Sequence, residues 1–325
     1  MLQGSFLCED RRTVGCVFFQ GMRLPFARIV PALLLFFPVL LPLASCAMNG
    51  QGSGKQLNVV ASENFWGSIA SQLGGTRVTV TSIINSPSGD PHDYESTTND
   101  ARTLAQADYV ILNGAGYDDW ASKLIAANPT SGRKVFTAAN LLGKKAGDNP
   151  HFWYNPDYVE RVADQITSGY KSLDPVGSKY FSQQRTAFED ALKPYHDSIT
   201  AIQTKFAHQK IGSSESIYVY QAQALNLDLI TPQAYLDAEN NGTDPPASAV
   251  AEFNQQIAHK EIKVMMLNVQ NISNETRNLQ QEIEQQHIPI VEITETIRPI
   301  GTKFQDWQVA QLQGLQTALN SAVSA

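Results

Sequence analysis

The sequence predicts an α/β protein of two βαβ-type lobes, each with a parallel-rich sheet, joined by one long connecting helix. Three observations carry this prediction. Short β-rich runs alternate with helical patterns in the first half of the chain, and the same alternation returns in the second half. A single helical stripe of about 30 residues, long for a globular protein, separates the two halves. Strands that alternate with helices imply parallel βαβ units.

The first half is predicted to hold four strands joined by short helices. The first helical pattern stops at Gly74 and Gly75, since glycine commonly ends a helix. Glu63 and Asn64, before that helix, are interpreted as loop caps rather than binding residues. Ser96 is the candidate N-cap of the second helix, because a serine oxygen accepts a bond from an unpaired backbone N–H. The predicted strands are residues 57–61, 78–84, 109–112 and 134–136, and the predicted helices are residues 65–73, 96–107 and 118–127.

A long amphipathic helix is predicted over residues 178–206. Its apolar residues recur at the spacing of one helix face. Pro194 lies inside the stripe and should kink the helix or split it in two, since proline removes a backbone hydrogen bond and clashes with the preceding turn. We predict that this helix connects the lobes. The stripe consists of Phe181, Phe188, Leu192, Tyr195, Ile199, Ile202 and Phe206.

The second half repeats the alternation of strands and helices. Residues 232–246 are rich in Asn, Gly and Pro, a composition that predicts a loop. Ser248 is the candidate N-cap of the helix that follows this loop. The predicted strands are residues 210–213, 227–230, 262–267 and 288–294, and the predicted helices are residues 215–225, 248–259, 275–286 and 305–323.

The N-terminal segment predicts export. Met22 opens a short basic stretch, and the apolar run 29–43 that follows is about 15 residues long, short of the roughly 20 that span a bilayer. A basic start, a short apolar run and small residues at its end predict a secretory signal rather than an anchor helix. We therefore predict a signal peptide over residues 1–45, with Met22 as a candidate start that would shorten it to residues 22–45, and a flexible tether over residues 46–55.

Cysteine usage and charge exclude several classes of protein. The cysteines are Cys8, Cys16 and Cys46, so removal of the signal would leave only Cys46. A mature chain of that kind has no intramolecular disulfide, no thiolate metal site and no cysteine nucleophile. The 24 basic residues are outnumbered by 31 acidic ones, and no Lys/Arg cluster occurs. Binding to phosphate backbones needs a basic face, so no nucleic-acid partner is expected.

Two of the six histidines are candidate ligands. His92 and His151 each follow a proline, which stiffens the approach, in a loop between a strand and a helix. In open α/β sheets, ligands bind beyond the carboxyl ends of the strands. The alternative for both is that they are surface residues of their loops, and position alone does not decide between the two. The histidines interpreted as structural or solvated are His196, His208, His259 and His287.

The two histidine loops resemble motifs of the metal-binding lipoproteins of zinc- and manganese-type ABC importers, the cluster A-I solute-binding proteins. Residues 90–95 read Asp-Pro-His-Asp-Tyr-Glu, against Asp-Pro-His-Glu-Tyr-Glu in the family. Residues 149–156 read Asn-Pro-His-Phe-Trp-Tyr-Asn-Pro, against Asp-Pro-His-x-Trp-x-Asp-Pro. The resemblance covers nearly all of the mature chain, and the long helix corresponds to the family's helical linker. The residues before Cys46 resemble a lipobox, which implies that Cys46 carries a lipid anchor.

The resemblance implies two further ligands from the second lobe. Glu215 opens a helix where the family has His or Glu, and Glu295 follows a late strand where the family usually has Asp. Glu292 is the local competitor, but strand alternation turns it away from position 295, and only Glu295 lies at the end of the strand. The implied site is therefore His92, His151, Glu215 and Glu295, in the cleft between the lobes.

The donor set narrows the choice of metal. Two imidazoles and two carboxylates can close a tetrahedral shell around Zn²⁺, whereas bidentate carboxylates suit Mn²⁺ or Fe²⁺ better. Glu215, in place of a family His, shifts the balance toward these harder ions, and the His-rich acidic loop of dedicated zinc members is absent. Asn149 and Asn155 replace family aspartates near His151. The acidic residues available to hold the second nitrogens of the histidines are Asp90, Glu95 and Asp157.

The resemblance implies an exported solute-binding lipoprotein on the outer face of the cytoplasmic membrane. It would capture one Zn²⁺ or Mn²⁺, with Fe²⁺ as a third candidate, and deliver it as a monomer to an ABC permease. The expected domains are an N-terminal lobe at 56–177, the helix at 178–206 and a C-terminal lobe at 207–325. A surface adhesin and a metal hydrolase are the alternatives. An enzyme is disfavoured because the chain has no His-Glu-x-x-His or Gly-x-Ser-x-Gly motif, and a fourth protein ligand would displace the catalytic water.

Overall fold

The computed structural model describes residues 56–86 and 91–324. The predicted signal peptide with Met22, the predicted lipidation site Cys46 and the tether lie outside the described residues, as does Asp90 of the first histidine loop. Within the described ranges, no helix combines the length and the apolar content needed to cross a membrane.

Four parallel strands form the first sheet, in the order β2-β1-β3-β4. Its strands are β1 (Leu57–Glu63), β2 (Val78–Ile84), β3 (Tyr109–Leu112) and β4 (Lys134–Thr137). The inner strands β1 and β3 are buried almost throughout, as expected for a parallel sheet covered by helices on both faces. The four strands predicted in this half are therefore present, and β1 runs two residues beyond its predicted end.

The helices of the first half include two that the sequence analysis did not predict, α4 and α5. Asn155 accepts a hydrogen bond from the backbone N–H of Tyr158, and Pro156 occupies the first turn, so the start of α5 has a regular cap. The N-cap of α2 is Thr97, not Ser96, because Thr97 and Asp100 form a reciprocal capping box. The helices are α1 (Asn64–Gly74), α2 (Thr98–Ala105), α3 (Asp119–Ala127), α4 (Ala138–Leu142) and α5 (Pro156–Leu173).

The connecting helix α6 (Ser178–Phe206) has the predicted bounds, and all seven residues of its apolar stripe are buried. It packs against α1 and α5 of the first half and against the C-terminal helix α11 (Phe304–Ser324). Of the two predicted effects of Pro194, a kink or a split, the split is wrong, because the helix continues through this residue. Burial of the flanking Leu192 and Tyr195 stabilises the helix around the proline, which outweighs the loss of one backbone hydrogen bond.

The second sheet repeats the topology of the first, in the order β6-β5-β7-β8, and all its pairs are parallel. In both sheets the first strand along the chain is an inner strand with the second at its outer side. The predicted α/β fold of two parallel sheets and a connecting helix is confirmed. The strands are β5 (Lys210–Ser213), β6 (Asp228–Leu229), β7 (Val264–Asn268) and β8 (Ile290–Ile293).

One helix of the second half, α8, contradicts the prediction of a loop over 232–246. Its residues Tyr235 and Leu236 are buried, and Tyr235 packs edge-on against Phe253 of α9, so tertiary burial overrides the loop-like composition. The N-cap of α9 is Pro246 rather than Ser248. The remaining helices are α7 (Val219–Ala224), α8 (Gln233–Asn240), α9 (Ala247–Ala258) and α10 (Asn274–Gln285).

Candidate metal centre

His92 lies in a short 3₁₀ turn, Pro91–Asp93, that follows β2. Its imidazole packs edge-on against the ring of Tyr117, with 4.7 Å between the ring centroids. Its Nε2 lies 3.7 Å from Oε2 of Glu295, and 21% of the side chain is exposed. His92 is therefore the candidate ligand on the solvent side of the group.

His151 is fully buried at the end of the loop after α4, directly before a 3₁₀ turn at Phe152–Tyr154. Its Nδ1 lies 2.8 Å from Oδ1 of Asn149. That oxygen also accepts the backbone N–H of His151, while the amide nitrogen of Asn149 donates to the carbonyl of Ser216, which fixes the orientation of the amide. The proton of the neutral imidazole therefore lies on Nδ1, and the lone pair of Nε2 is available to bind a metal ion.

Electrostatics keep His151 in the neutral form that a metal requires. Burial lowers the pKa of His151 well below its usual value, and the nearby His92 lowers it further. Its Nε2 has no hydrogen-bond partner and lies 3.9 Å from Oε2 of Glu295. A buried nitrogen of this kind loses its hydration without compensation unless a cation or a donor meets it.

The two carboxylates come from the second lobe and are both buried. Glu215 lies between β5 and the 3₁₀ turn at Ser216–Tyr218, and Glu295 follows β8. The side-chain amide of Asn268 donates to Oε1 of Glu215 and to Oε1 of Glu295, the latter at 2.9 Å. The local competitor Glu292 is exposed on β8.

Four candidate ligand atoms meet in one place. One ligand atom from each of His92, His151, Glu215 and Glu295 lies within 4.8 Å of the other three. Two imidazole nitrogens and two carboxylate oxygens form a mixed N/O set without sulfur, which suits first-row divalent ions rather than Cu⁺. The two negative charges of the carboxylates match the charge of one divalent cation. Both sequence halves contribute two donors each.

Aromatic side chains line the inner side of this group. Trp153 packs edge-on against His151 and stacks on Phe65, with 3.8 Å between the latter pair of ring centroids. Tyr117 packs against Trp153 and His92. These rings exclude water from one side of the group, so charges there interact more strongly than at the surface.

The outer side opens into a polar cavity of about 460 Å³. The cavity is lined by His92, Asp148, Asn149, Ser216 and Asp237, among other residues. Because His92 is one of the four candidate ligands, the cavity connects the solvent with the ligand group. A larger cavity of about 580 Å³ lies along β8 and α11 and contains none of the four candidate ligands. The chemistry of the donor set, rather than cavity size, therefore locates the candidate site.

The fold and the donor set lead to a family. Residues 59–318 match the family described as zinc-uptake complex component A, periplasmic (ZnuA). The chain belongs to the ZnuA family. The family is one of solute-binding proteins, so the hydrolase alternative is not supported, and the resemblance found in the sequence is confirmed.

Curated relatives of this ZnuA-family chain are lipoproteins of metal transport. The manganese-binding lipoprotein MntA of Halalkalibacterium halodurans is 25% identical over 226 residues, which cover 66% of this chain and 73% of the relative. The manganese ABC transporter substrate-binding lipoprotein PsaA of Streptococcus mitis is 26% identical over 243 residues, which cover 68% and 76%.

Solved structures share the fold of this ZnuA-family chain. The Mn-bound periplasmic metal-binding protein of Candidatus Liberibacter asiaticus aligns with a TM-score of 0.66 and 20% identity, over 81% of this chain and 99% of that protein. FpvC of P. aeruginosa, in complex with Ni²⁺, aligns with a TM-score of 0.67 and 21% identity, over 82% and 98%.

Several predictions about residues around the ZnuA-family site need correction. The second nitrogen of His151 lies against Asn149 and not against an acidic residue. Glu63 forms no side-chain cap, and Asn64 instead bonds to the backbone of Ile297 in the other lobe. The remaining histidines lie apart from the ligand group: Nε2 of His196, for example, lies 3.3 Å from Glu160.

Two residues that contact the candidate ligands were missed by sequence reasoning, Tyr117 and Asn268. Tyr117 donates to Oε2 of Glu295, and Asn268 bridges both carboxylates. The one feature of the sequence that could have predicted Asn268 is its position at the carboxyl end of β7, because ligands bind beyond the carboxyl ends of parallel strands. Tyr117 belongs to a loop after β3, with no comparable signal.

Proposed function

We propose that this ZnuA-family chain captures one divalent transition metal between its two lobes and delivers it to an ABC permease for import. The observation that carries the proposal is the cluster of His92, His151, Glu215 and Glu295, with one ligand atom of each within 4.8 Å of the others. Relatives named as manganese-binding and as metal ABC transporter substrate-binding lipoproteins support the same role. The metal is the transported cargo, so no catalytic step is involved.

The proposed ligands make the metal a bridge between the lobes. His92 and His151 lie in loops of the first half, after β2 and after α4, and Glu215 and Glu295 follow β5 and β8 of the second sheet. A cation held by all four stabilises the closed arrangement, because any opening of the lobes removes two of its four donors. Release at the permease then requires movement of at least one pair, and the partly exposed His92 is the donor nearest to solvent.

The cargo is Zn²⁺ or Mn²⁺, with Fe²⁺ as the third candidate, since all three accept mixed N/O sites. Transport of this kind takes place outside the cytoplasm, and we propose a lipid anchor at Cys46 and a tether over 46–55, in line with the lipoprotein names of the relatives. The proposed chain acts as a monomer with lobes at 56–177 and 207–325, joined by residues 178–206.

Metal uptake tests the proposal directly. Residues 47–325, purified with chelator and reloaded with Zn²⁺ or Mn²⁺, are expected to hold one ion per chain by elemental mass spectrometry. The double variant His92→Ala, Glu215→Ala removes one donor from each lobe and is expected to hold none. Its matched control is His208→Ala, Asp228→Ala, an exposed His–Asp pair with 3.4 Å between Nδ1 and Oδ1. Stoichiometric binding by the first double variant contradicts the assignment.

A further inference from the structure

One side chain, Asn268, contacts both candidate carboxylate ligands. It lies at the carboxyl end of β7 and is fully buried. Its side-chain amide nitrogen donates to Oε1 of Glu215 and to Oε1 of Glu295. A primary amide has two hydrogens, so both are used, one for each carboxylate.

The amide of Asn268 is held in a single orientation. Its Oδ1 accepts the backbone N–H of Gln270 at 3.0 Å, and its own backbone N–H donates to Oγ of Ser214 at 3.0 Å. Rotation of the amide by half a turn would place its oxygen against two carboxylates and its NH₂ against an N–H donor. The NH₂ group, and not the carbonyl oxygen, therefore faces the two carboxylates.

We propose that Asn268 is a positioning residue that restricts Glu215 and Glu295 to one metal-binding oxygen each, and thereby favours Zn²⁺ over Mn²⁺. The inference rests on the proposed function, and it adds a determinant of metal choice that lies outside the four ligands. It also runs against the composition of the donor set, in which a second carboxylate in place of a histidine favours harder ions.

The geometry of Glu295 shows how the restriction works. A bidentate carboxylate must turn both oxygens toward the metal. The Oε1 of Glu295 accepts from the amide of Asn268 at 2.9 Å. Its Oε2 accepts from the hydroxyl of Tyr117 and lies 3.7 Å from Nε2 of His92 and 3.9 Å from Nε2 of His151, so it is the oxygen that faces the imidazoles. Glu215 is held through Oε1 by the same amide. One oxygen from each carboxylate and two imidazoles give four donors, the number that suits Zn²⁺.

The neutral amide suits this task better than a charged group would. A lysine at position 268 would neutralise one carboxylate and weaken the attraction for a cation, and an aspartate would repel both carboxylates. An asparagine binds both carboxyl groups by hydrogen bonds and adds no charge of its own. The two hydrogen bonds orient the pair before a metal arrives.

The test compares Asn268→Ala with the wild-type mature chain in competition binding of Zn²⁺ and Mn²⁺. Loss of a residue that orients ligands typically costs about 10–100-fold in metal affinity. We expect a loss in that range for Zn²⁺ and a smaller loss for Mn²⁺, so that the ratio of the two affinities falls about tenfold. X-ray absorption of the Mn²⁺ complex should show a higher coordination number in the variant. The matched control is Gln221→Ala, a buried amide of the same lobe whose Oε1 accepts from Tyr195.

Each outcome decides the inference. An unchanged ratio of Zn²⁺ to Mn²⁺ affinity in a folded Asn268→Ala chain overturns the inference. A residue with a merely structural role would lower the affinity for both ions by the same factor. If that variant does not fold, Co²⁺ bound to the wild-type chain decides: intense visible absorption of four-coordinate Co²⁺ supports the inference, and the weak spectrum of six-coordinate Co²⁺ overturns it. If the wild-type chain takes up no ion at all, the proposed function itself fails.

Discussion

The hydroxyl of Tyr117 donates a hydrogen bond to Oε2 of Glu295, a residue 178 positions further along the chain. Tyr117 belongs to the first lobe, and its ring also packs edge-on against His92. A single side chain thus touches one candidate ligand from each lobe. The contact links the position of the first-lobe loop to the orientation of a second-lobe carboxylate.

The variant Tyr117→Phe is expected to weaken metal binding while leaving the fold intact. The ring remains to pack against His92, but Oε2 of Glu295 loses the donor that orients it. Loss of such a partner typically costs about 10–100-fold in metal affinity, which competition titration against a chelator measures. Tyr170→Phe is the control, since its hydroxyl donates to the carbonyl of Ala70 in the first lobe. Unaltered or tighter binding by Tyr117→Phe would show that this contact does not support the site.

A second prediction concerns Asn149, which holds Nδ1 of His151. The variant Asn149→Ala removes the acceptor that fixes the proton on Nδ1, so part of the His151 population is expected to carry it on Nε2 instead. We expect metal affinity to fall about 10–100-fold. Nitrogen chemical shifts of His151 in the metal-free chain report the tautomer. Asn140→Ala, an exposed position in α4, serves as the control. A His151 that keeps its Nδ1–H tautomer in Asn149→Ala argues against this role of the amide.

Local patterns predicted most of the fold because its strands are apolar runs and α6 carries a regular apolar stripe. The helix α8 was missed because it lies within residues 232–246, whose Asn, Gly and Pro content is typical of a loop, and burial of Tyr235 and Leu236 stabilises it as a helix in the folded chain. The helix α5 was missed even though Asn155 and Pro156 form a recognisable helix start. Predicting α8 would have required knowledge of its tertiary contacts, whereas α5 could have been predicted from its local sequence.

The residues of the candidate site also fall into two groups, those that a local motif predicts and those that only the folded structure reveals. His92 and His151 lie in motifs with proline and aromatic neighbours, and these motifs predicted both histidines as candidate ligands. Asn268 and Tyr117 donate hydrogen bonds to Glu295, and those contacts join positions 27 and 178 residues apart. Nothing in the residues next to Asn268 or Tyr117 marks them as partners of a ligand. Such residues become visible only when folding brings the ends of the strands together.

Asn64 offers a test of how the two lobes hold together. Its Oδ1 accepts the backbone N–H of Ile297 at 2.9 Å, and its Nδ2 donates to the carbonyl of Ile297 at 3.3 Å. The variant Asn64→Ala leaves this buried N–H without its acceptor, a change that costs about 1–3 kcal/mol. We expect the free energy of unfolding in urea to fall by that amount. The loop that carries Glu295, two residues before Ile297, should loosen as well.

The control for Asn64→Ala is Asn128→Ala. Asn128 is exposed, and its amide donates to the carbonyl of Leu124 within the same helix end. Substitutions at exposed positions usually change stability by less than about 0.5 kcal/mol. Equal stability of the two variants would mean that the contact between Asn64 and Ile297 contributes nothing to the folded state.

The last prediction concerns a proton held by Glu63. Its Oε2 lies 2.7 Å from Oγ of Ser62, and the same Oγ lies 2.6 Å from Oδ2 of Asp118. A hydroxyl has one proton and donates to one acceptor only, so a second proton must lie on one of the carboxyl groups. Both carboxyl groups are fully buried, but Asp118 also accepts two backbone N–H groups, which favour its ionised form. Burial, reinforced by the charge of Asp118, raises the pKa of Glu63 well above its usual value.

The raised pKa of Glu63 makes stability depend on pH with a definite sign. Below the usual value of 4.5, both the folded and the unfolded chain carry the proton, so the group has no effect. Above it, the unfolded chain releases the proton while the folded chain retains it, and Glu63 destabilises the folded state by about 1.4 kcal/mol per pH unit until its folded-state pKa is reached. The variant Glu63→Gln keeps the shape without the ionisation. It should therefore gain stability over the wild type as pH rises from 5 to 8.

Urea unfolding of the chelator-treated chain at pH 5, 6, 7 and 8 measures this gain. Glu252→Gln, at an exposed position of α9, is the control and should follow the wild-type profile. A Glu63→Gln profile parallel to that of the wild type would mean that Glu63 ionises equally in the folded and unfolded chains. A growing difference would place a neutral carboxylic acid at the end of β1. The hydroxyl of Ser62 would then be a donor to Asp118, and the charge of the region beside Glu295 would be lower than the number of its carboxyl groups implies.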